Sequence, residues 1–546
     1  MLSRRAFLTQ SAALAAGASV GGYPVIAPAQ QSSGGWGDLS ELLPGTKPYK
    51  VLEIHLEGGL SPWETFYVRL GQRGLDWRGF EAKVKATEWP HAGSDNLQNL
   101  CRFSSRSGTG TMPFDTTHAD HPIHLGPATA PLWRDDILKR MRVVVLQHDL
   151  QPHEAAIPYA ATGLRLGRPQ MAGMGAAVQR RREATNPDLR TPAAYVCMSD
   201  ASPVAPDGRQ AFWSSGQLGG GARPVVLRIG SGDQFVQRLE RENARDGNST
   251  KRFDDLLTAY SNAYAGLMQP PLPADGHRIA IRSKGFAEYD AALRMLKNAK
   301  ELHSILTGSG TGLFDQITDG GCVRLHDGAL GAVTVNTTRM ALTVAAALLR
   351  PSGNASYACV IDSGRLNDAG TNYDTYDTHF NNHVEVTFAN LYNTLASLRA
   401  LIDLQLIDLD STLIVLSTEF GRTPEPSATH ADGRDHWPRG YTAALIGGPI
   451  AAIDAPFNPG SAARVLGRIE DATGVAAVRS VFTPTDLRAA AVLGAGINPF
   501  TGDYINQGDL SKCLFPSSED PRFTLMRLRS TFFGDGWQPN TCPDPV

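Results

Sequence analysis

Aspartate, glutamate and histidine side chains recur in three short clusters between residues 374 and 438. Imidazole nitrogens and carboxylate oxygens are the ligands with which proteins hold catalytic divalent metals. The histidines point to Zn²⁺, while the carboxylates also suit Mn²⁺ or Ca²⁺. Asp374, His430 and Asp432 are more typical of solvated turns. The residues that we predict to bind metal are Asp377, His379, Glu419 and His436.

Apolar runs on either side of these clusters predict the strands that position them. Such runs occupy residues 51–56, 142–146, 224–229, 357–361, 412–416 and 442–446. Helical patterns lie between them, at residues 286–306, 338–349 and 384–402. This alternation predicts an α/β fold: a mostly parallel sheet flanked by helices on both faces, with loop insertions near residues 70–125 and 199–285.

Functional side chains in such sheets gather beyond the carboxyl ends of the strands. Asp377 and His379 follow the strand at 357–361, Glu419 follows the strand at 412–416, and His436 precedes the next strand. If these strands are neighbours, Asp377, His379 and His436 hold one metal and Glu419 binds a second. Two metals about 4 Å apart clamp the attacking and leaving oxygens of a displacement at phosphorus or sulfur.

Four other residues are candidates for the same site. Arg422 and Arg434 carry planar guanidinium groups that match the oxygens of a tetrahedral anion, although Arg422 could simply neutralise Glu419. His153 is a candidate metal ligand, general acid/base or phosphoryl acceptor, or else a helix-capping histidine. Glu64 is a candidate ligand of the second metal, because it follows a Gly-Gly turn after the first strand.

The first residues of the chain predict export. Arg4 and Arg5, an uncharged stretch and a small-residue cleavage site predict a twin-arginine signal peptide over residues 1–29. A linker over residues 30–48, a domain over 49–515 and a tail over 516–546 follow. The expected location is the periplasm or the medium. No later run of 18 apolar residues predicts a membrane span.

Charge and cysteine content narrow the class of partner. Removal of the signal peptide changes the formal charge from -3 to -5, because two arginines and no acidic residue are lost. A slightly acidic chain is not expected to bind nucleic acid. Six cysteines are too few for a disulfide framework in so long a chain, and Cys513 and Cys542 are a candidate pair.

Several motifs resemble those of the domain of unknown function 1501 family. They are residues 377–379 (Asp-Thr-His), 419–424 (Glu-Phe-Gly-Arg-Thr-Pro) and 433–438 (Gly-Arg-Asp-His-Trp-Pro). An N-terminal Gly-Gly motif also matches, except that Glu64 stands where the family usually has Asp. The resemblance covers roughly residues 48–515. It implies twin-arginine export, with the translocase as a partner, and membership of the alkaline phosphatase and sulfatase superfamily.

The residues and the resemblance together favour an exported metal-dependent hydrolase acting on a phosphate or sulfate ester of a small molecule or glycan. Phosphatases of that superfamily carry a Ser or Thr nucleophile near the position of His153, where this chain has no hydroxyl or thiol. A metal-activated water would remove the need for one. The alternative is a non-catalytic relative that binds an anionic glycan or a protein partner through the same cleft.

Overall fold

The computed structural model describes most of the strands and helices around the candidate site. The described residues, apart from a few single positions, are 47–69, 111–116, 122–168, 171–185, 193–199, 224–229, 337–351, 355–364, 375–379, 384–424, 433–453, 463–470, 473–477, 480–500, 505–516 and 519–534. The predicted signal peptide, nearly all of the predicted helix at 286–306, and Asp374, His430 and Asp432 lie outside these residues.

An eight-stranded sheet forms the centre of the protein. In spatial order its strands are β13 (Val465–Leu466), β5 (Met141–Leu146), β12 (Tyr441–Gly447), β9 (Thr412–Ser417), β1 (Lys50–Leu56), β8 (Tyr357–Asp362), β6 (Ala194–Met198) and β7 (Val225–Arg228). β12 runs antiparallel to both of its neighbours, and every other pair is parallel. The predicted mostly parallel sheet is therefore confirmed, and all six predicted strands are present.

Helices cover both faces of this sheet. The α-helices with described bounds are α1 (Asp135–Lys139), α2 (His153–Thr162), α3 (Met174–Thr185), α4 (Thr337–Leu349), α5 (Val384–Asp403), α6 (Pro484–Gly494) and α7 (Pro521–Phe532). α4 and α5 share one buried apolar cluster with alternate residues of β1, while α3, α6 and α7 share a second cluster on the other face. α7 extends the fold into the segment 516–546, because Leu525, Leu528 and Phe532 lie in the second cluster.

The sheet topology brings the predicted site loops to one edge. The first residue of β12, Tyr441, pairs with the last residue of β5, Leu146. Because β12 is antiparallel, the loop that enters it lies beside the carboxyl ends of β5, β9, β1 and β8. A two-stranded ribbon of β10 (Gly421–Arg422) and β11 (His436–Trp437) joins two of the motifs directly, with Arg422 opposite His436.

α2 places His153 at this same edge. The helix starts immediately after Pro152, so His153 is its first residue, and it ends at Gly163 in the left-handed conformation (φ 72°). β5, which precedes it, is a fully buried run rich in valine, as expected of a strand covered on both faces. The strand-to-helix turn thus carries the His153 ring to the end of the sheet where the other candidate residues lie.

Two smaller features complete the described fold. The end of the segment 70–125 forms β3 (Met112–Asp115) and β4 (Ile123–Leu125), which pair with β2 (Val68–Arg69) in a separate antiparallel sheet. Cys513 is disulfide-bonded, and Cys542 lies outside the described residues, so that pairing stays a prediction. Among the described helices, none is long and apolar enough to cross a membrane.

Candidate metal centre

Four side chains from one loop, the short strand β11 and the start of α2 converge at the carboxyl edge of the sheet. They are His153, Asp377, His379 and His436, and one ligand atom of each lies within 4.8 Å of the others. Three of the four were predicted to share a metal. His153, predicted as one of several possibilities to be a ligand, completes the set, which we call the His/Asp cluster.

The ligand nitrogens and oxygens of the His/Asp cluster lie close to one another. His379 Nε2 lies 2.6 Å from His436 Nε2, and His153 Nε2 lies 3.5 Å from Asp377 Oδ2. His153 Nε2 is buried and has no hydrogen-bond partner among the described residues. Buried polar atoms without partners are rare, and a nitrogen positioned to bind a metal is one case. Three imidazoles and one carboxylate suit Zn²⁺ better than Ca²⁺, which takes oxygen ligands.

Asp377 and His379 form the solvent-exposed part of the His/Asp cluster. The Asp377 and His379 side chains are 40% and 32% exposed, whereas the His153 side chain is 10% exposed. Phe420 packs against the His436 ring with 4.1 Å between centroids and helps to bury that side. Catalytic metal sites keep a position open to water or substrate, while structural sites are closed. The partial exposure of Asp377 and His379 meets this requirement for an open position.

Glu419 lies behind His153 and outside the His/Asp cluster. Its fully buried carboxylate accepts a hydrogen bond from His153 Nδ1 at 2.8 Å and another from the Gly58 backbone N–H at 2.8 Å. Because an ionised carboxylate only accepts, Nδ1 carries the proton and Nε2 faces the cluster. A carboxylate on the far nitrogen of a ligating histidine fixes the ring and raises its basicity. Glu419 thus has the position of an orienting group, not of the predicted ligand to a second metal.

Arg422 is buried behind Asp377. Its Nη2 donates to Asp377 Oδ1 at 2.7 Å and to the Gly58 carbonyl, and its Nη1 donates to the Arg434 carbonyl at 3.1 Å. The side chain is 0% exposed, so the guanidinium does not face solvent. Although burial opposes it, contacts with His153 and Arg422 hold the pKa of Asp377 well below its usual range. Arg422 therefore holds Asp377 ionised and oriented toward the cluster.

Glu64 and Arg434 form a separate buried group with Ser61. Ser61 Oγ donates to Glu64 Oε2 at 2.6 Å, and Arg434 Nη1 donates to the same carboxylate oxygen at 3.3 Å. Burial raises the pKa of Glu64 above its ordinary value, although the charge of Arg434 opposes this shift. The Arg434 backbone N–H also donates to the Thr378 carbonyl at 3.2 Å, which ties this group to the cluster loop. Glu64 is therefore placed beside the site without joining the four converging side chains.

Two of the cluster histidines are neutral near pH 7. Burial first, and then the nearby charges of Arg422 and His153, lower the pKa of His436 to about 3. Burial and Arg422 also lower the pKa of His379. A neutral imidazole offers the lone pair that a metal needs. Burial, together with the positive charge of Arg422, thus keeps both rings neutral and able to bind a metal ion.

His148 was not singled out from the sequence, yet it supports Glu419. The Leu150 backbone N–H donates to His148 Nδ1 at 3.1 Å, so Nε2 carries the ring proton and donates to the Glu419 carbonyl at 2.7 Å. Burial lowers the pKa of His148 to about 4, which agrees with a neutral ring. Its place just beyond the end of β5 was the signal for this role in the sequence.

Tyr376 anchors the loop that carries Asp377. Its hydroxyl donates to Asp362 Oδ2 at 3.2 Å, at the last residue of β8. Asp362 Oδ1 also accepts from Thr338 at 2.8 Å and from the Gly364 backbone N–H at 3.0 Å. This fully buried carboxylate therefore fastens both ends of the loop between β8 and the cluster.

In the metal-free protein, the free energy of unfolding is expected to depend on pH because of His153. Burial alone would lower its pKa, but the hydrogen bond to Glu419 and the nearby carboxylate of Asp377 raise the pKa of His153 to about 9. A raised pKa stabilises the folded state fully below the unfolded value of about 6.5, and the contribution is lost as pH rises through about 9. The expected loss over that window is about 3 kcal/mol. Urea unfolding of chelator-treated protein and of His153→Gln, from pH 6 to 10, measures it. Equal pH dependence in both proteins would contradict it.

Comparison with known proteins places the chain in a family. Residues 50–512 match the family model described as "Protein of unknown function (DUF1501)". No curated protein and no solved structure matches the chain. The match covers the central sheet and every residue of the His/Asp cluster. The chain therefore belongs to the DUF1501 family.

Proposed function

We propose that this chain is a metal-dependent hydrolase, exported by the twin-arginine route, that acts on a phosphate or sulfate ester. The observation that carries the proposal is the half-exposed convergence of three imidazoles and one carboxylate at the carboxyl edge of the sheet. A divalent ion held there supplies Lewis acidity toward an ester oxygen and lowers the pKa of water. Zn²⁺ fits the donor set best, and Mn²⁺ is the second candidate.

The residues around the cluster have separate tasks in this proposal. His153, His379 and His436 offer imidazole nitrogens, and Asp377 offers an oxygen that Arg422 keeps ionised. Arg434, with a side chain that is 12% exposed against 0% for Arg422, is the arginine that we assign to the oxygens of the anionic ester. The open side next to Asp377 and His379 is where the ester would approach.

Water is the acceptor that this arrangement favours. The four converging side chains are imidazoles and a carboxylate, and none carries a hydroxyl or thiol. A covalent serine or threonine intermediate is therefore not part of the proposal. The sheet topology and the site at its carboxyl edge support the proposed relation to the alkaline phosphatase and sulfatase superfamily.

A substrate panel tests the proposal. Metal-loaded mature protein is assayed against an aryl phosphate, a phosphodiester and an aryl sulfate, beside His379→Ala and a His124→Gln control on the separate small sheet. We expect hydrolysis of at least one ester, lost by more than about 100-fold in His379→Ala and unchanged in the control. Stoichiometric metal without hydrolysis of any ester would overturn the proposal. Binding of a sulfated glycan under those conditions would favour the non-catalytic alternative.

A further inference from the structure

A line of buried polar side chains crosses the interior from α6 to His153. Each member is at most 3% exposed, although the line runs through the middle of the sheet. Its members are Arg488 on α6, Glu53 and His55 on β1, Ser417 on β9 and Glu419 in the loop after β9. We call these five residues the polar line.

The α6 end of the polar line is an ion pair. Arg488 Nη1 pairs with Glu53 Oε1, and the Tyr357 hydroxyl donates to Glu53 Oε2 at 2.6 Å. Arg488 Nε donates to the Ala160 carbonyl on α2. Arg488 and Tyr357 thus hold the two oxygens of the Glu53 carboxylate.

The other end reaches the His/Asp cluster through His55. Ser417 Oγ lies 3.4 Å from Glu53 Oε1 and 3.4 Å from His55 Nδ1. His55 Nε2 then lies 3.5 Å from Glu419 Oε2, while the other oxygen of that carboxylate accepts from His153 Nδ1 at 2.8 Å. One side chain thus separates His55 from a ligand of the proposed centre.

Fold stability gives little reason for this arrangement. Burying ions costs free energy, and apolar side chains of similar volume often serve a core equally well or better. Glu53 and His55 occupy alternate positions of β1, on the face opposite to the apolar Leu52, Ile54 and Leu56. Two polar residues on one face of a central strand, both leading to Glu419, indicate a task at the site.

We propose that His55 is a positioning residue for the metal centre. It holds Glu419 Oε2, so that Oε1 stays aligned with His153 Nδ1 and His153 Nε2 stays aimed at the His/Asp cluster. Glu53 and Arg488 hold His55 in turn, through Ser417. The inference rests on the metal centre of the proposed function and is independent of hydrolysis.

Zinc affinity measured by competition with a chromogenic chelator tests the inference in the full mature protein. We expect His55→Leu to bind Zn²⁺ about 10- to 100-fold more weakly, the usual loss when a partner of a metal ligand is removed. His55→Gln retains an N–H donor and is expected to recover part of the affinity. The visible absorption of the Co²⁺-loaded protein should shift in His55→Leu, because the orientation of His153 changes.

A buried carboxylate elsewhere provides the matched control. Asp115 accepts from the backbone N–H groups of Arg464 and Val465, so Asp115→Asn should lower stability without changing zinc affinity. Wild-type zinc affinity in folded His55→Leu, or an equal loss in Asp115→Asn, would overturn the inference. If His55→Leu does not fold, Ser417→Ala decides: a several-fold loss supports the inference and unchanged affinity rejects it. Zinc binding without hydrolysis in the wild type would reject only the proposed function.

Discussion

Replacing His436 with alanine is expected to remove the metal from the protein. The His/Asp cluster offers one ligand atom from each of four side chains, and three of those atoms are imidazole nitrogens. Loss of one imidazole leaves a three-donor set, and we expect zinc affinity to fall by more than about 100-fold. Elemental analysis after dialysis against a weak chelator should find about one zinc ion per wild-type chain and almost none in the variant.

The matched control for this prediction is Glu64→Gln. Glu64 was predicted from the sequence to bind a second metal, but its carboxylate bonds to Ser61 and Arg434. The variant should therefore keep its zinc. Two ions per wild-type chain, with one lost in Glu64→Gln, would contradict the single centre and restore the two-metal interpretation. Wild-type zinc content in His436→Ala would show that the metal lies elsewhere.

Gly58→Ala is expected to disrupt the site and the fold together. Gly58 has φ 125°, and a Cβ there would lie 2.3 Å from the Asp377 backbone nitrogen. Both the positive φ of Gly58 and its close contact with the Asp377 backbone oppose any side chain at this position. The combined cost is about 2–5 kcal/mol of stability. Zinc affinity should fall as well, because the Asp377 loop must move. Urea unfolding and chelator competition measure the two effects.

Gly167→Ala separates the two causes. Gly167 also has a positive φ (96°), but a Cβ there meets nothing within 4 Å. This variant should show only the conformational cost, about 1 kcal/mol, with normal zinc affinity. A Gly58→Ala protein as stable as Gly167→Ala, and with wild-type zinc affinity, would show that the approach of Gly58 to Asp377 is not as close as described.

The fold class could be predicted because the apolar strands stand out clearly in the sequence. Continuous apolar runs such as Met141–Leu146 and Thr412–Ser417 have few structures open to them other than buried strands. The position of each strand in the sheet was less accessible, because pairing is decided by long-range packing. The antiparallel direction of β12 was not predicted. It explains how His436, which precedes its strand, meets residues that follow theirs.

The site was predicted in part. Motif spacing identified three members of the His/Asp cluster, namely Asp377, His379 and His436. It could not tell the candidate ligand Asp377 from Glu419 behind His153, because both are carboxylates that follow strands. Side-chain direction makes that distinction, and it places Glu419 behind His153. The role of His55 was not predicted because His55 lies inside β1 and not in a loop motif at a strand end. A histidine and a glutamate two positions apart in an apolar strand were the available signal.

The hydrogen bond between Tyr376 and Asp362 ties the residue before Asp377 to the last residue of β8. The two residues are 14 positions apart in sequence, and Asp362 also accepts from the Gly364 backbone N–H. Closing a longer loop costs little additional entropy, since the cost grows only with the logarithm of length. A change in the number of residues between Gly364 and Thr375 would therefore cost little, because Tyr376 holds the position of Asp377. In the proposed function, such changes would alter which ester reaches the cluster and would leave the candidate metal-binding residues in place.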